Sequence, residues 1–135
     1  MIQKYFVNYT NEENYLFTII ISIFFNATIG TEFGFEEHLI IPAQNNMIAH
    51  AQLIFGNGMI MVGSLRDDEF IEHQKPPSAF EGYNSQSPYI IVEDIDKHYN
   101  CAVESGSEVI VSLKEQDYGG KYYYCKDPEG FLWHF

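Results

Sequence analysis

The last third of the chain constrains the fold most, because strand, helix and strand signals follow one another there in a fixed order. Residues 89–92 are apolar behind Pro88, which can open a strand without the loss of a needed N–H. Residues 95–105 carry apolar side chains at helical spacing. Three further stretches are typical of strands: residues 108–111, 121–126 and 131–135. The pattern predicts a βαβββ unit over residues 88–135.

Capping and turn residues support these boundaries. Asp94 or Asp96 offers a carboxylate oxygen to the first turn of the predicted helix. Gly106 suits the left-handed position that follows a helix. The tetrapeptide Asp127-Pro-Glu-Gly130 is typical of a tight turn, since Pro sets one dihedral angle and Gly permits a positive φ. The last strand is therefore predicted to follow this turn directly.

The first half of the chain repeats the unit in a weaker form. Strands are predicted over residues 38–41, 50–55 and 59–62, with a turn at residues 42–46 and a hairpin turn at Gly56-Asn57-Gly58. The repeat spans about 50 residues. Residues 66–86 are polar and contain Pro76-Pro77, which predicts a linker. We divide the chain into an N-terminal extension (1–15), a first module (16–64), a linker (65–87) and a second module (88–135).

The N-terminal part leaves two arrangements open. Residues 15–25 form an apolar run of 11 residues, which is too short for a membrane span of about 20. Its β-branched residues favour a buried first strand over residues 16–24, followed by a shortened helix at residues 26–32. In the alternative, residues 2–9 form the strand and residues 11–32 the helix. A secretory leader is disfavoured, because Glu12 and Glu13 oppose Lys4.

Charge and cysteine content exclude several classes of function. With 135 residues and 46% hydrophobic residues, the chain can bury a core. A net charge of −12 repels phosphate backbones and anionic lipid, so nucleic acid and membranes are not expected as partners. Cys101 and Cys125 do not make a disulfide framework, and we expect both to be buried, reduced thiols. A cytoplasmic location is expected.

The quoted pattern resembles the glyoxalase / bleomycin-resistance / dioxygenase superfamily, the vicinal oxygen chelate fold, and in particular its glyoxalase-like branch. The resemblance covers residues 33–135, including Phe33-Gly-Phe-Glu-Glu-His38 and Asp127-Pro-Glu-Gly130. It implies an α+β fold with two βαβββ modules, the first irregular. The modules would form a curved mixed sheet around a cleft, with helices on the outer face. It also implies a homodimer, with modules paired within or between chains.

The resemblance implies metal ligands on the first and last strands of each module. Carried over, the last-strand positions are His134 in the second module and Val62 or Met61 in the first. The first-strand positions fall in residues 18–23 and 87–89, which lack histidine. His134 is thus the only candidate at a family position, and a catalytic ion needs about three protein ligands. No metal is expected, unless His38, His50, Glu36 or Glu37 act as ligands from unusual positions.

Two functions remain open. The first is a small-molecule binder of the bleomycin-resistance type, which would hold an aromatic or cationic compound in the cleft. The alternative is a glyoxalase-like lyase or dioxygenase that uses a divalent Zn, Ni, Fe or Mn ion on a small oxygenated substrate. A family-fold protein without activity is a third option, so whether the chain is an enzyme is undecided. The predicted ligand-binding residues are Met61, Tyr89, Tyr122, Tyr124, Leu132, His134 and His50.

Several of these residues also have structural interpretations. His134 could be a hydrogen-bonded residue of the terminal strand, and His50 a structural or edge residue. If His134 faces the cleft, the alternation of strand residues places Leu132 on the same face, while Trp133 and Phe131 pack towards the helix. His73 in the linker and His98 on the helix are expected to be solvated.

Overall fold

The computed structural model describes residues 4–8, 16–21, 33–56, 58–65, 69, 72–73 and 75–135. The first part of the chain contributes strands β1 (Lys4–Asn8), β2 (Leu16–Ile21), β3 (Glu36–Pro42), β4 (Ile48–Phe55) and β5 (Gly58–Gly63). A 3-10 turn at Pro77–Phe80 follows. Helix α1 (Ile95–Glu104) then leads to β6 (Glu108–Glu115), β7 (Lys121–Lys126) and β8 (Leu132–His134).

The first sheet has five strands in the order β1-β2-β5-β4-β3. Neighbouring strands are antiparallel except for β2 and β5, which run parallel. Parallel strands need a long crossover, and the chain between β2 and β5 supplies β3 and β4. The first strand of the module therefore lies beside its last strand.

The second sheet repeats this order in a shorter form. Strands β6, β7 and β8 are antiparallel neighbours. Tyr89 forms a parallel bridge with His134, where the Ile90 N–H donates to the His134 carbonyl and the His134 N–H donates to the Pro88 carbonyl, each at 2.9 Å. The strand predicted over residues 89–92 is reduced to this bridge. The α+β fold with a repeated module is nevertheless confirmed.

The N-terminal strands combine parts of both predicted arrangements. Strand β2 starts at Leu16, as the first arrangement has it, and β1 falls within the strand of the second. A helix over residues 11–32 is wrong at residues 16–21, where β-branched Thr and Ile residues pair with β5. The shortened helix predicted at residues 26–32 lies outside the described residues.

Aromatic side chains dominate the core. The largest fully buried ones are Trp133, Tyr123, Phe33 and Phe135. The ring of Phe33, which precedes β3, lies 5.3 Å from that of Trp133 and 5.2 Å from that of Phe135. A residue of the first module thus packs into the second. Trp133 and Phe131 are 0% and 4% exposed, so both belong to the core and not to a ligand surface.

The turn before β8 is held by a buried carboxylate. Asp127 is 4% exposed, and its Oδ1 accepts hydrogen bonds from the N–H groups of Phe131 at 2.9 Å and Glu129 at 3.1 Å. Its Oδ2 accepts from Trp133 Nε1 at 2.8 Å. A buried carboxylate needs such partners to offset its desolvation. Asp127 therefore sets both the turn and the indole orientation.

Helix α1 has one of the two expected caps and corrects one expectation about burial. Asp94 is its N-cap, and its side chain accepts from Lys97 N at 3.0 Å. The helix buries Ala102 in the core. Cys101 is exposed, because neighbouring residues of a helix project in different directions. The predicted burial is therefore wrong for Cys101 and confirmed for Cys125.

None of the helices among the described residues is long and apolar enough to cross a bilayer.

Candidate functional site

The candidate site lies on the open face of the second sheet. Strand alternation buries Tyr123 and Cys125 on one side of β7 and leaves Tyr122 and Tyr124 half-exposed on the other. In the paired strand β8, Trp133 is buried while Leu132 and His134 are half-exposed. The register pairs Tyr124 with His134 and Lys126 with Leu132. Leu132 and His134 thus share a face with the two tyrosines, as the alternation predicted.

Three tyrosine rings surround the imidazole of His134. The ring centroids of Tyr124, Tyr89 and Tyr122 lie 4.1, 4.3 and 5.9 Å from that of His134. The rings of Tyr122 and Tyr124 are 5.5 Å apart. Tyr124 and Tyr122 come from β7, and Tyr89 reaches His134 because its backbone bridges β8. We call Tyr89, Tyr122, Tyr124 and His134 the aromatic cluster.

The imidazole of His134 has unused hydrogen-bonding capacity. Within the described residues, its Nε2 is buried and has no hydrogen-bond partner. Burial lowers the pKa of His134, because an imidazolium is poorly solvated between aromatic rings. The ring is therefore neutral near pH 7, and a buried unpartnered ring nitrogen is costly unless something binds it.

A lysine adds positive charge to the aromatic cluster. The Nζ of Lys114 lies 5.2 Å from the centroid of the Tyr122 ring, within the range of a cation–π contact. The hydrogen bond to Tyr122 raises the pKa of Lys114, so its ammonium stays charged. The pattern of β6 could not reveal this residue, because the pairing of β6 with β7 is irregular between Val111 and Lys114.

The remaining predicted ligand residues lie in the first sheet. His50 is on β4, and its Nε2 is 3.2 Å from Gln52 Nε2. Gln52 is paired with Met61 on β5, and all three side chains are half-exposed on the face opposite the buried Ala51 and Leu53. The structure therefore brings Tyr89, Tyr122, Tyr124, Leu132 and His134 to one face of the second sheet, and His50 and Met61 to one face of the first.

The donor set does not fit a divalent metal ion. The side chains described in the structure form no group of three or more His, Cys, Asp or Glu residues suited to one. The neighbours of His134 are tyrosine rings, and the matching strand of the first module offers the thioether of Met61 or buried Val62. A thioether is too soft a ligand for such ions. His38, Glu36 and Glu37 are exposed on β3 and do not complete a site.

A second feature of the surface is a cavity of about 730 Å³ beside helix α1. It lies between the turn joining β4 to β5, the segment 88–94 and the first two turns of α1. Tyr89 is the one predicted ligand residue among its lining residues. The other lining residues were not predicted as ligand residues, although two of them, Gly34 and Phe35, belong to the motif that carried the family resemblance.

His98 faces this cavity and is not solvated as expected. Its Nδ1 is 2.6 Å from the Tyr123 hydroxyl and its Nε2 is 3.2 Å from the Phe33 carbonyl oxygen. A carbonyl only accepts, so Nε2 donates and Nδ1 accepts from Tyr123. Burial lowers the pKa of His98, although the bond to Phe33 opposes this, and burial raises the pKa of Tyr123. His98 is therefore a neutral link between helix, sheet and residue 33.

Comparison with known proteins supports the fold. A sequence model described as Glyoxalase/Bleomycin resistance protein/Dioxygenase superfamily matches residues 31–135. No curated protein matches the chain significantly. The crystal structure of TioX from Micromonospora sp. ML1 is 28% identical, covers 79% of each chain and has a TM-score of 0.61.

Two more distant structures show the same fold. The fosfomycin resistance protein FosX from Listeria monocytogenes is 16% identical, with 86% of this chain and 85% of that chain covered and a TM-score of 0.55. A glyoxalase/bleomycin resistance protein/dioxygenase from Alicyclobacillus acidocaldarius is 14% identical, with 94% and 92% covered and a TM-score of 0.59. The match to the family over residues 31–135 and the repeated module agree with the predicted resemblance. The chain belongs to the Glyoxalase/Bleomycin resistance protein/Dioxygenase superfamily.

Proposed function

We propose that the protein binds a small aromatic compound on the open face of the second sheet, against the aromatic cluster. The observation that carries this proposal is the buried, unpartnered Nε2 of His134 between three tyrosine rings. A ligand that hydrogen-bonds this nitrogen would offset its desolvation, and its planar part would pack on Tyr89 or Tyr124. The family fold and the likeness to a fosfomycin resistance protein agree with a small-molecule role.

Of the two ligand classes expected, a neutral aromatic compound suits this face better than a cationic one. The ammonium of Lys114 already lies over Tyr122 and would repel a second cation. The lyase or dioxygenase alternative gains no support here, because the described residues around His134 offer no further metal ligand. The proposed role is therefore binding rather than metal-assisted catalysis.

A ligand screen tests this proposal. Thermal unfolding of the protein would be followed with a panel of neutral planar aromatic compounds and aromatic cations, because a compound that binds the folded state raises Tm. We expect stabilisation by neutral aromatic compounds, which is lost in Tyr124→Ala and in His134→Ala. The matched control is Tyr118→Ala, since Tyr118 is 86% exposed on a turn. Equal Tm shifts in the Tyr124 and Tyr118 variants would overturn the proposal.

We also propose that the protein is a homodimer in the cytoplasm. Large apolar side chains are exposed on β3 and on α1, among them Leu39 at 41%, Ile41 at 45% and Val103 at 46%. Such surface is costly in water, and a symmetric partner would cover it. Light scattering at micromolar concentration should give twice the chain mass. A monomer mass would contradict the dimer, and export of the tagged protein from cells would contradict the location.

A further inference from the structure

The cavity beside α1 has the size and lining of a ligand site. Its volume of about 730 Å³ lies within the range of about 300–1,000 Å³ that small-molecule sites occupy. Three separate elements form it, so it is not the groove of a single helix. It meets the aromatic cluster only at Tyr89, which lines the cavity while its ring lies 4.3 Å from that of His134.

The interior of the cavity is apolar and aromatic. Phe35 is 6% exposed, and its ring centroid lies 5.4 Å from that of Phe55 at an interplanar angle of 57°. The ring of Phe55 in turn meets His98 edge-on, with centroids 6.3 Å apart. Gly34 has a φ of +73°, and a Cβ there would lie 3.3 Å from Phe55 Cε2. Gly34 thus leaves room for the Phe55 ring that forms one wall.

The charged groups lie on one side of the cavity. Glu93, Asp94 and Lys97 line it at the start of α1, so the lining has two acidic residues and one basic residue. His98 adds no charge near pH 7, because burial lowers its pKa and its two ring nitrogens are engaged by Tyr123 and Phe33. The local balance is negative, and the whole chain carries −12. An apolar interior beside a negative rim is complementary to an aromatic cation.

We propose that this cavity is a second small-molecule site, separate from the aromatic cluster, and that it takes a compound with a planar aromatic body and one positive charge. The aromatic body lies between Phe55 and the segment 88–92, where Ile91 covers it. The positive group lies next to Glu93 and Asp94. This site differs from the aromatic cluster in its charge, because Lys114 lies at the cluster and carboxylates lie at the cavity.

Fluorescence titration with thioflavin T, a planar aromatic cation, tests the site. Two variants change exposed lining residues, so neither threatens folding: Ile91→Ser, at a position 82% exposed, and Glu93→Gln. We expect each variant to weaken thioflavin T binding about threefold to tenfold. Ile91→Ser removes an apolar side chain from the cavity lining, and Glu93→Gln removes one negative charge. Their matched controls are Ile110→Ser and Glu104→Gln, which lie on exposed positions outside the cavity and should bind as the wild type does.

Cys101 supplies a second, independent readout. It lines the cavity and is exposed, whereas Cys125 is buried. Reaction of the native protein with a disulfide reagent such as DTNB should therefore label Cys101, and saturating thioflavin T should slow this reaction at least threefold. The anionic dye anilinonaphthalene sulfonate at the same concentration should protect Cys101 less.

The variants also separate this site from the proposed function. Thioflavin T binding should persist in His134→Ala and Tyr124→Ala, which change residues of the aromatic cluster that do not line the cavity. Loss of binding in these two variants, with none in Ile91→Ser or Glu93→Gln, would overturn the second site and assign the cation to the cluster. Binding without protection of Cys101 would also overturn it. Failure of the neutral aromatic screen at the cluster would leave these outcomes unchanged.

Discussion

The two modules share one strand order but stabilise it by different means. In each, the first strand runs parallel to the last, as β2 does to β5 and Tyr89 does to His134. The first module forms five register pairs along β2 and β5, whereas the second has a single bridge. The second module instead concentrates buried aromatic rings and the carboxylate of Asp127 around its last strand.

The turn before the last strand shows the same contrast. The turn that leads into β5 is flanked by Gly56 and Gly58. Gly56 has a φ of +57°, which glycine adopts without steric cost. The turn that leads into β8 is held by hydrogen bonds that the Asp127 side chain accepts from the backbone. The open faces differ too, with Gln52 and Met61 in the first module and tyrosines in the second. One topology thus tolerates two different sets of stabilising contacts.

The residue that joins the two modules should be the most sensitive to truncation. Phe33 is fully buried and its ring packs on Trp133, Phe135 and His98. Phe33→Ala leaves a cavity, so we expect the free energy of unfolding to fall by about 3–5 kcal/mol. Guanidinium denaturation followed by Trp133 fluorescence measures it. Phe80→Ala, at a side chain 54% exposed, is the control. A similar small loss in both variants would show that the modules are stable independently.

Removal of the Asp127 carboxylate should come next in effect. Asp127→Ala removes the carboxylate that accepts from the Phe131 N–H and from Trp133 Nε1 in a buried site. The loss of a buried hydrogen bond of this kind costs about 1–3 kcal/mol, so a total loss of about 3 kcal/mol is expected. Denaturation of this variant beside Asp117→Ala, which changes an exposed aspartate, isolates the effect. Equal stabilities would mean that the turn holds without its side-chain bonds, as the glycine turn of the first module does.

The stability of the second module should depend on pH through His98. Its folded pKa is lowered from 6.5 by burial, so the unfolded chain takes up a proton first as the pH falls. The stability that the neutral His98 ring contributes to the fold is therefore fully present above pH 6.5. It is lost as the pH falls through the lower pKa of the folded state. The free energy of unfolding of the wild type should decline from pH 7.5 to pH 5. The decline should be less steep in His98→Gln, where His134, whose pKa burial also lowers, still contributes to it.

His73→Gln is the control for this pH dependence, because His73 is exposed. The His73 variant should keep the slope of the wild type. Identical slopes in the His98 and His73 variants would contradict the assignment of the buried neutral imidazole to His98.

The smallest effect is expected at the ion pair between α1 and β7. Lys121 Nζ lies 2.8 Å from Asp96 Oδ2, but their side chains are 37% and 58% exposed. Water screens such pairs, so they contribute little to stability. Asp96→Asn should leave the denaturation midpoint nearly unchanged, and 0.5 M NaCl should remove what difference remains. A large, salt-insensitive loss would show that this contact, and not the aromatic core, attaches the helix to the second sheet.

Local patterns were sufficient for much of the second module. The strand at Lys121–Lys126 and a helix cap at Asp94 or Asp96 were predicted from strand patterns and capping chemistry, which act between residues close in sequence. The same alternation placed Trp133 in the core and His134 on the open face. The strand predicted over residues 89–92 was not formed in full, because its pairing depends on β8, which is only three residues long.

The sequence by itself determined the family, the order of the elements after residue 33 and which strand residues share a face, since periodicity and turn chemistry are local properties of the chain. Only the tertiary structure decided which faces meet. It packed Phe33 against the second module, engaged His98 between Tyr123 and Phe33, and brought Tyr89 to His134 across 45 residues of sequence. These contacts join residues far apart along the chain, and no spacing rule relates them. Their geometry follows from how the two sheets and the helix pack around one aromatic core.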